Sequence, residues 1–256
     1  MEWPALPRAR QSLIGKLHQK KYRYAEGLYL AEGAKVLSDS LRHGGQALFI
    51  VLAPEKALPE GCTGIPVFQA GREFWARYSG QETPAGVMGV FRMAPWAGVE
   101  TLERASRILV LDGLNDPGNV GTLLRAAHWF GFRHVVLTPT TADPYNPKAV
   151  QAAMGSLPAL ILYRLEAEQA LRKFQEDAIP VYVSALEGAS LFPKNIPEGP
   201  LVLVLGSESH GVSAAWEGRG IFRIRIPPAD AAPPESLNVA LAGAILMHRL
   251  AQGGLG

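Results

Sequence analysis

From residue 105 onward, apolar runs of strand length alternate with stretches of helical periodicity. The runs at 108–111, 134–137, 159–162, 180–183, 201–205 and 222–226 read as strands, on length and on β-branched content. The run 201–205 is apolar without interruption, the mark of a strand buried on both faces. Residues 119–130, 147–154, 166–177 and 237–251 read as helices. This alternation predicts an α/β fold, a parallel sheet with helices on both faces.

The first 94 residues carry a shorter pattern of the same kind. Helices are predicted at 11–19, 34–42 and 72–78, the second stopped by Gly44-Gly45. Strands are predicted at 28–31, 47–52, 67–68 and 87–91. Ala94-Pro95-Trp96-Ala97-Gly98 reads as a break between domains. The expected organisation is a small α/β domain at 1–94, a linker at 95–104 and a larger domain at 105–256.

Composition narrows the setting. Of 256 residues 48% are hydrophobic, enough for two cores. No apolar run approaches the roughly 18 residues of a membrane span. Met1-Glu2-Trp3-Pro4 lacks the basic-then-apolar order of a secretion signal, and Cys62 has no second cysteine to pair with. A cytoplasmic protein without membrane contact is expected, and no cysteine-based metal site. The net charge is only +2, but it is unevenly spread. Arg8, Arg10, Lys16, Lys20, Lys21 and Arg23 face Glu2 alone within the first 24 residues, with Tyr22 and Tyr24 interleaved. Such a segment suits phosphate contact and base stacking. It also suits a solvated helix face.

The candidate chemistry lies just after three of the predicted strands, where sites form in open parallel sheets. Asp112-Gly113-Leu114-Asn115-Asp116-Pro117-Gly118-Asn119 follows the first of them. There Asn119 is the expected helix N-cap. Arg125 lies on roughly the same side of that helix, amid Leu123, Leu124, Ala126 and Ala127. It is placed either to reach water or to meet a buried anion. Gly206-Ser207-Glu208-Ser209-His210-Gly211 follows the run 201–205. Its glycines permit close backbone approach to a ligand, and Glu208 is its carboxylate. After Ile226-Pro227-Pro228 comes Ser236-Leu237-Asn238-Val239, which opens an almost wholly apolar helix. Ser236 is the natural cap there, and the helix must be buried.

Together the three segments resemble the motifs of the SpoU (TrmH) family of RNA ribose 2′-O-methyltransferases, in the SPOUT superfamily. Asn119, Gly121 and Arg125 match its Asn-x-Gly-x-x-x-Arg pattern, and Gly206, Glu208 and Gly211 its Gly-x-Glu-x-x-Gly loop. Ser207 and Ser209 depart from the residues common there, Asn and Gly. Residues 16–37 resemble the auxiliary RNA-binding domain found upstream in this family, and 144–156 also looks family-like. The resemblance implies a C-terminal trefoil knot, a homodimer and S-adenosylmethionine as methyl donor. It places the cofactor on Leu205, Gly206, Ile226, Ser236 and Leu237. It places catalysis on Asn119, Arg125, Glu208, Ser236 and Asn238. No metal is implied. The RNA is expected to be ribosomal first and transfer RNA second.

A guanidinium holds its proton tightly, so orienting a phosphate is an alternative to a base role for Arg125. The chain has no Walker sequence and no Gly-x-Gly-x-x-Gly, and S-adenosylmethionine has no phosphate to cradle. Two other readings stand beside this one. One is a non-catalytic RNA-binding protein with a degenerate methyltransferase domain. The other is a serine hydrolase using Ser209, Asp230 and His248, although Ser207 stands where the nucleophile elbow needs glycine.

Overall fold

The computed structural model describes residues 3–190, 199–207, 210–230 and 235–252, excluding the side chains of Arg104 and Ser190. The chain forms two compact units. One comprises Met1–Ala94 with Asp143–Ala159, and the other Pro95–Ala142 with Leu160–Gly256.

The first unit opens with α1 (Arg8–Leu17) and α2 (Lys20–Glu26), where the sequence predicted one helix over 11–19. Gln19 adopts extended backbone between them, and Gly27, at φ 64°, turns the chain out of α2. A left-handed residue costs glycine little. β1 (Leu28–Glu32), α3 (Ala34–Arg42), β2 (Ala47–Leu52), β3 (Val67–Gln69), α4 (Arg72–Tyr78) and β4 (Val87–Arg92) follow, close to their expected places. The sheet order is β1-β4-β2-β3. β4 is antiparallel to β1 and β2, and β3 is parallel to β2. Ile14, Leu17, Leu30, Phe49, Val51, Phe74, Trp75 and Val90 form the core on one side.

The second unit starts at Pro95, so the expected linker is bound rather than free. Ala97 N–H donates to Leu162 at 2.9 Å, and a 3-10 turn occupies Val99–Arg104. β5 (Arg107–Asp112), α5 (Pro117–Trp129) and β6 (His134–Leu137) come next. The chain then supplies α6 (Pro147–Ala153) to the first unit and returns at β7 (Ile161–Arg164). α7 (Ala167–Glu176), β8 (Val181–Ser190), β9 (Leu201–Gly206), β10 (Ile221–Arg225) and α8 (Val239–Ala251) complete it. The six strands are all parallel, in the order β10-β8-β9-β5-β6-β7. β9 is buried at every position, as its unbroken apolar run predicts. Side-chain alternation splits the core. Ile108, Val110, Val202 and Val204 join Phe174 of α7 and the fully buried Trp216. On α8, Gly243 leaves no room for a Cβ between Leu205 of β9 and Leu123 of α5.

Residues 143–159, expected in the larger domain, are held in the first unit by buried polar pairing. The Arg23 guanidinium donates to Asp143 Oδ2 from Nη2 at 2.5 Å and from Nε at 3.1 Å, with both side chains almost fully buried. Its Nη1 donates to the Leu17 and His18 carbonyls, each at 2.9 Å, and so closes the end of α1. Tyr24 donates to the other Asp143 oxygen at 3.0 Å. His43 Nδ1 lies 2.8 Å from the Gly155 carbonyl. Gly155 has φ 80°, and a Cβ there would meet Ser40 N at 2.8 Å. One of the six basic residues of the N-terminal segment, Arg23, is therefore a core residue.

Candidate active site

Because all six strands run the same way, every loop that follows a strand opens at one edge of the second sheet. β5 and β9 are neighbours there, with Leu111 opposite Leu205 and Asp112 opposite Gly206. Ile226 follows β10, which β8 separates from β9.

The loop after β5 enters α5 at Pro117, which fixes helical backbone at the first position. The cap is Asp116, whose Oδ1 accepts from Asn119 N–H at 2.9 Å. This corrects the expectation that Asn119 caps the helix. Asn119 sits one turn inside instead. Its Oδ1 accepts from Asn238 Nδ2 at 3.1 Å, across 119 positions of sequence. Asn238, not Ser236, caps α8, and its Oδ1 accepts from Ala240 N–H at 3.0 Å and Leu241 N–H at 3.3 Å. The helix accordingly starts at Val239 rather than Leu237. One asparagine thus caps one helix and ties it to the start of another. Ser236 and Leu237 lie exposed just before that cap.

Arg125 is exposed on α5, six residues beyond Asn119. At roughly 3.6 residues per turn this sets it about a third of a turn around the helix from Asn119, rather than on the same side as the sequence suggests. Of the two placements considered for it, the structure shows the one open to solvent. Thr122, between them, turns its hydroxyl back to the Gly118 carbonyl at 2.9 Å.

The loop after β9 doubles back at once. Ser207 and Gly211 exchange two backbone hydrogen bonds, each 2.9 Å, which brings the chain back against itself. Glu208 and Ser209, expected in this loop, lie outside the described residues. A Cβ on Gly206 would collide with the backbone of Gly211 and Val212. The glycine is required there by the returning chain.

One residue of the first segment carries a role that the sequence did not indicate. Asp112, the last residue of β5, is buried, and its Oδ2 accepts from Ser213 N–H at 2.7 Å and from Trp216 Nε1–H at 2.9 Å. It pins the far side of the Gly206 loop to the neighbouring strand. The signal available was an aspartate ending an apolar run, but its partners stand 101 and 104 positions away. Gly113 N–H is in turn held by the Thr138 and Thr141 hydroxyls, each at 3.0 Å. The loops after β5, β6 and β9 are thus cross-braced.

Of the residues proposed for the hydrolase, Ser209 lies outside the described residues and His248 is not at this edge. His248 stands about 15 Å along α8 from Asn238, at 1.5 Å per residue. It packs on Phe130 and lies 3.1 Å from Gln252 Nε2.

Residues 106–248 match the model of the SpoU rRNA Methylase family, and residues 12–89 match that of the MRM3-like substrate binding domain. The 23S rRNA (guanosine(2553)-2'-O)-methyltransferase RlmP of Bacillus subtilis is 30% identical over 92% of this chain and 93% of its own. A putative RNA methyltransferase of the TrmH family from Porphyromonas gingivalis has a solved structure that is 34% identical. It covers 96% of this chain and 98% of its own, with a TM-score of 0.80. An AdoMet-bound rRNA methyltransferase from Sinorhizobium meliloti is 25% identical, with a TM-score of 0.82 over 98% of this chain and 97% of its own. The strand order, the braced loops at one sheet edge and these matches place the chain in the SpoU rRNA methylase family.

Proposed function

We propose that this protein transfers the methyl group of S-adenosylmethionine to a ribose 2′-hydroxyl of ribosomal RNA. The observation that carries the reading is the Asn119–Asn238 hydrogen bond. It joins the first and third motif segments in a chain of this family. The activity for which the Bacillus subtilis relative is named supports both the ribose oxygen and the ribosomal substrate. Transfer RNA is the second candidate.

The groups at this edge fit the cofactor chemically. Among the described residues they are backbone amides and carbonyls of Leu205, Gly206, Ile226 and Leu237, the Ser236 hydroxyl and the Asn119 and Asn238 amides. These uncharged donors and acceptors suit an adenosyl group that carries no phosphate. When bound, S-adenosylmethionine supplies a methyl group already activated on a sulfonium. What this chain adds is position. The Asn119–Asn238 pair fixes the start of α8 relative to α5, and Ser236 lies two residues before that cap. Arg125, exposed on α5 beyond Asn119, holds the phosphate next to the target ribose. The hydroxyl proton leaves to Glu208 or to water in this scheme.

The proposal includes a homodimer built on α5 and α8, supported by the exposed Trp129, Leu241 and Ile245. It also includes the trefoil knot, which the family resemblance implies, and a cytoplasmic setting, consistent with the single, buried Cys62. The test is transfer of labelled methyl to unmodified ribosomal and transfer RNA, with the label mapped to ribose or base. Ribose labelling of ribosomal RNA, lost in Arg125→Ala, is the expected result. Cofactor binding without any transfer to RNA would favour the non-catalytic reading.

A further inference from the structure

The basic N-terminal segment does not act as one unit. The structure divides its charges between the interior and the surface. Arg23 is committed to Asp143 and two carbonyls inside the first unit. The Arg10 guanidinium lies over the Phe49 and Phe68 rings, 4.8 and 4.1 Å from their centroids. Both are spent on packing. Arg8 is exposed at the start of α1, and Lys16, Lys20 and Lys21 are exposed as a group where α1 gives way to α2.

These three ammonium groups gather about two aromatic rings. Lys16 Nζ is 5.8 Å and Lys21 Nζ 5.7 Å from the Tyr22 centroid, and Lys20 Nζ is 6.0 Å from that of Tyr24. Neither helix has an acidic residue in its first turn, and the first carboxylate after residue 3 is Glu26. None of the three lysines forms an ion pair among the described residues. Like charges held close together without a counter-charge repel one another in the free protein. A polyanion relieves that repulsion and releases its own counterions on binding. Tyr22 is half-buried, so its ring position is set by the fold, and the ring holds two of the ammoniums near one point.

We propose that the α1–α2 junction is the surface by which the first unit grips the sugar-phosphate backbone of the substrate RNA. Lys16, Lys20 and Lys21 make the phosphate contacts and Tyr22 holds two of them in place. Contacts of this kind position an RNA without reading its sequence. The inference rests on RNA being the substrate, and it extends that reading to a particular surface.

The test measures binding of the full chain to in-vitro-transcribed 23S ribosomal RNA across a range of salt concentrations. Wild type is compared with the Lys16→Gln/Lys20→Gln/Lys21→Gln variant, with Tyr22→Phe and Tyr22→Ala, and with a Lys35→Gln/Arg92→Gln control drawn from other exposed charges of this unit. Removing three phosphate contacts lowers the slope of log affinity against log salt by about 2–3. Near physiological salt it weakens binding roughly 10- to 100-fold. The control and Tyr22→Phe stay at wild type, and Tyr22→Ala loses a few-fold. Cofactor affinity is unchanged in every variant, and an unchanged circular dichroism spectrum and thermal unfolding midpoint show that the first unit folds in each. An unchanged slope in the triple variant overturns the inference, as does an equal loss in the control or a wild type that does not bind RNA. If wild type binds RNA through these lysines but transfers no methyl group, the enzymatic reading fails and the surface stands.

Discussion

Asn119 and Asn238 show how far single residues could be read. Both were picked out as site residues, and both lie at the sheet edge, bonded to each other. Their local roles were assigned differently, because a cap is chosen by competition among neighbours. Pro117 fixes the start of α5, which gives the cap to Asp116 and leaves the Asn119 side chain for a longer-range partner. Arg23 was misread for a related reason. Its burial depends on Asp143, 120 positions away, and nothing local announces that. Removing one member of a buried pair strands the other. Asp143→Ala is therefore expected to lower unfolding free energy by about 3–5 kcal/mol, read by urea denaturation. A loss below about 1 kcal/mol, typical of exposed pairs, would show the pair to be open to water. For Arg125, exposed and charged, the question is geometry rather than burial. Lysine keeps the charge and loses the planar fork. Arg125→Lys should cut methyl transfer at least about tenfold with cofactor affinity intact. Full activity would reduce the role of this residue to charge alone.

At the level of elements the apolar pattern was a good guide, since every predicted strand and helix has a counterpart. What it missed are features with no apolar period. The 3-10 turn at Val99–Arg104 is one, and the extension of β8 to Ser190 is another. The loops are set by pairings between distant residues, and Asp112 makes two of them. Asp112→Leu would leave the buried Trp216 N–H without an acceptor, at about 1–3 kcal/mol, and would free the Ser213 N–H, which water can reach. Asp112→Asn keeps an acceptor. Faster hydrogen exchange at residues 211–216 together with weaker cofactor binding is expected for leucine, with asparagine near wild type. Equal exchange in all three proteins would mean that the loop holds itself. At the opposite end of the sheet, His134 Nδ1 and Thr101 Oγ1 each lie 2.8 Å from the Tyr163 hydroxyl. Burial holds the His134 pKa below its ordinary value. The unfolded chain then binds the proton more readily than the folded one. Stability is full above the ordinary histidine pKa of about 6.5 and declines as pH falls toward the lower folded value. His134→Asn should flatten that part of a thermal-stability profile against pH. A profile unchanged by the substitution would assign the acid sensitivity to other groups.

Taken whole, the molecule follows its chain order less closely than its sequence suggests. A break near residue 94 was legible from Pro95 and Gly98, but the membership of 143–159 was not. A crossover between two parallel strands belongs by contiguity to the domain of those strands. Pairings between distant residues, such as Arg23–Asp143 and His43–Gly155, show where it packs. The last helix raises the converse problem. Its apolar sequence predicted burial on all faces, and Leu246, Met247 and Leu250 are buried. Leu241 and Ile245, one turn apart, are instead 60% and 45% exposed, and Trp129 at the end of α5 is 83% exposed. α5 and α8 pack against each other, so these residues belong to one helix pair. An isolated chain gains nothing by presenting a tryptophan and two aliphatic side chains to water, and large apolar patches mark interaction surfaces. If the second copy of this chain covers them, wild type sediments at twice the monomer mass. Leu241→Lys/Ile245→Lys then sediments as a monomer with its circular dichroism retained, because two buried ammonium groups on each side of the interface are far costlier than two exposed ones. A variant that still dimerises would place the interface elsewhere. A wild type that is monomeric at every concentration would leave the apolar face of α8 to a different partner.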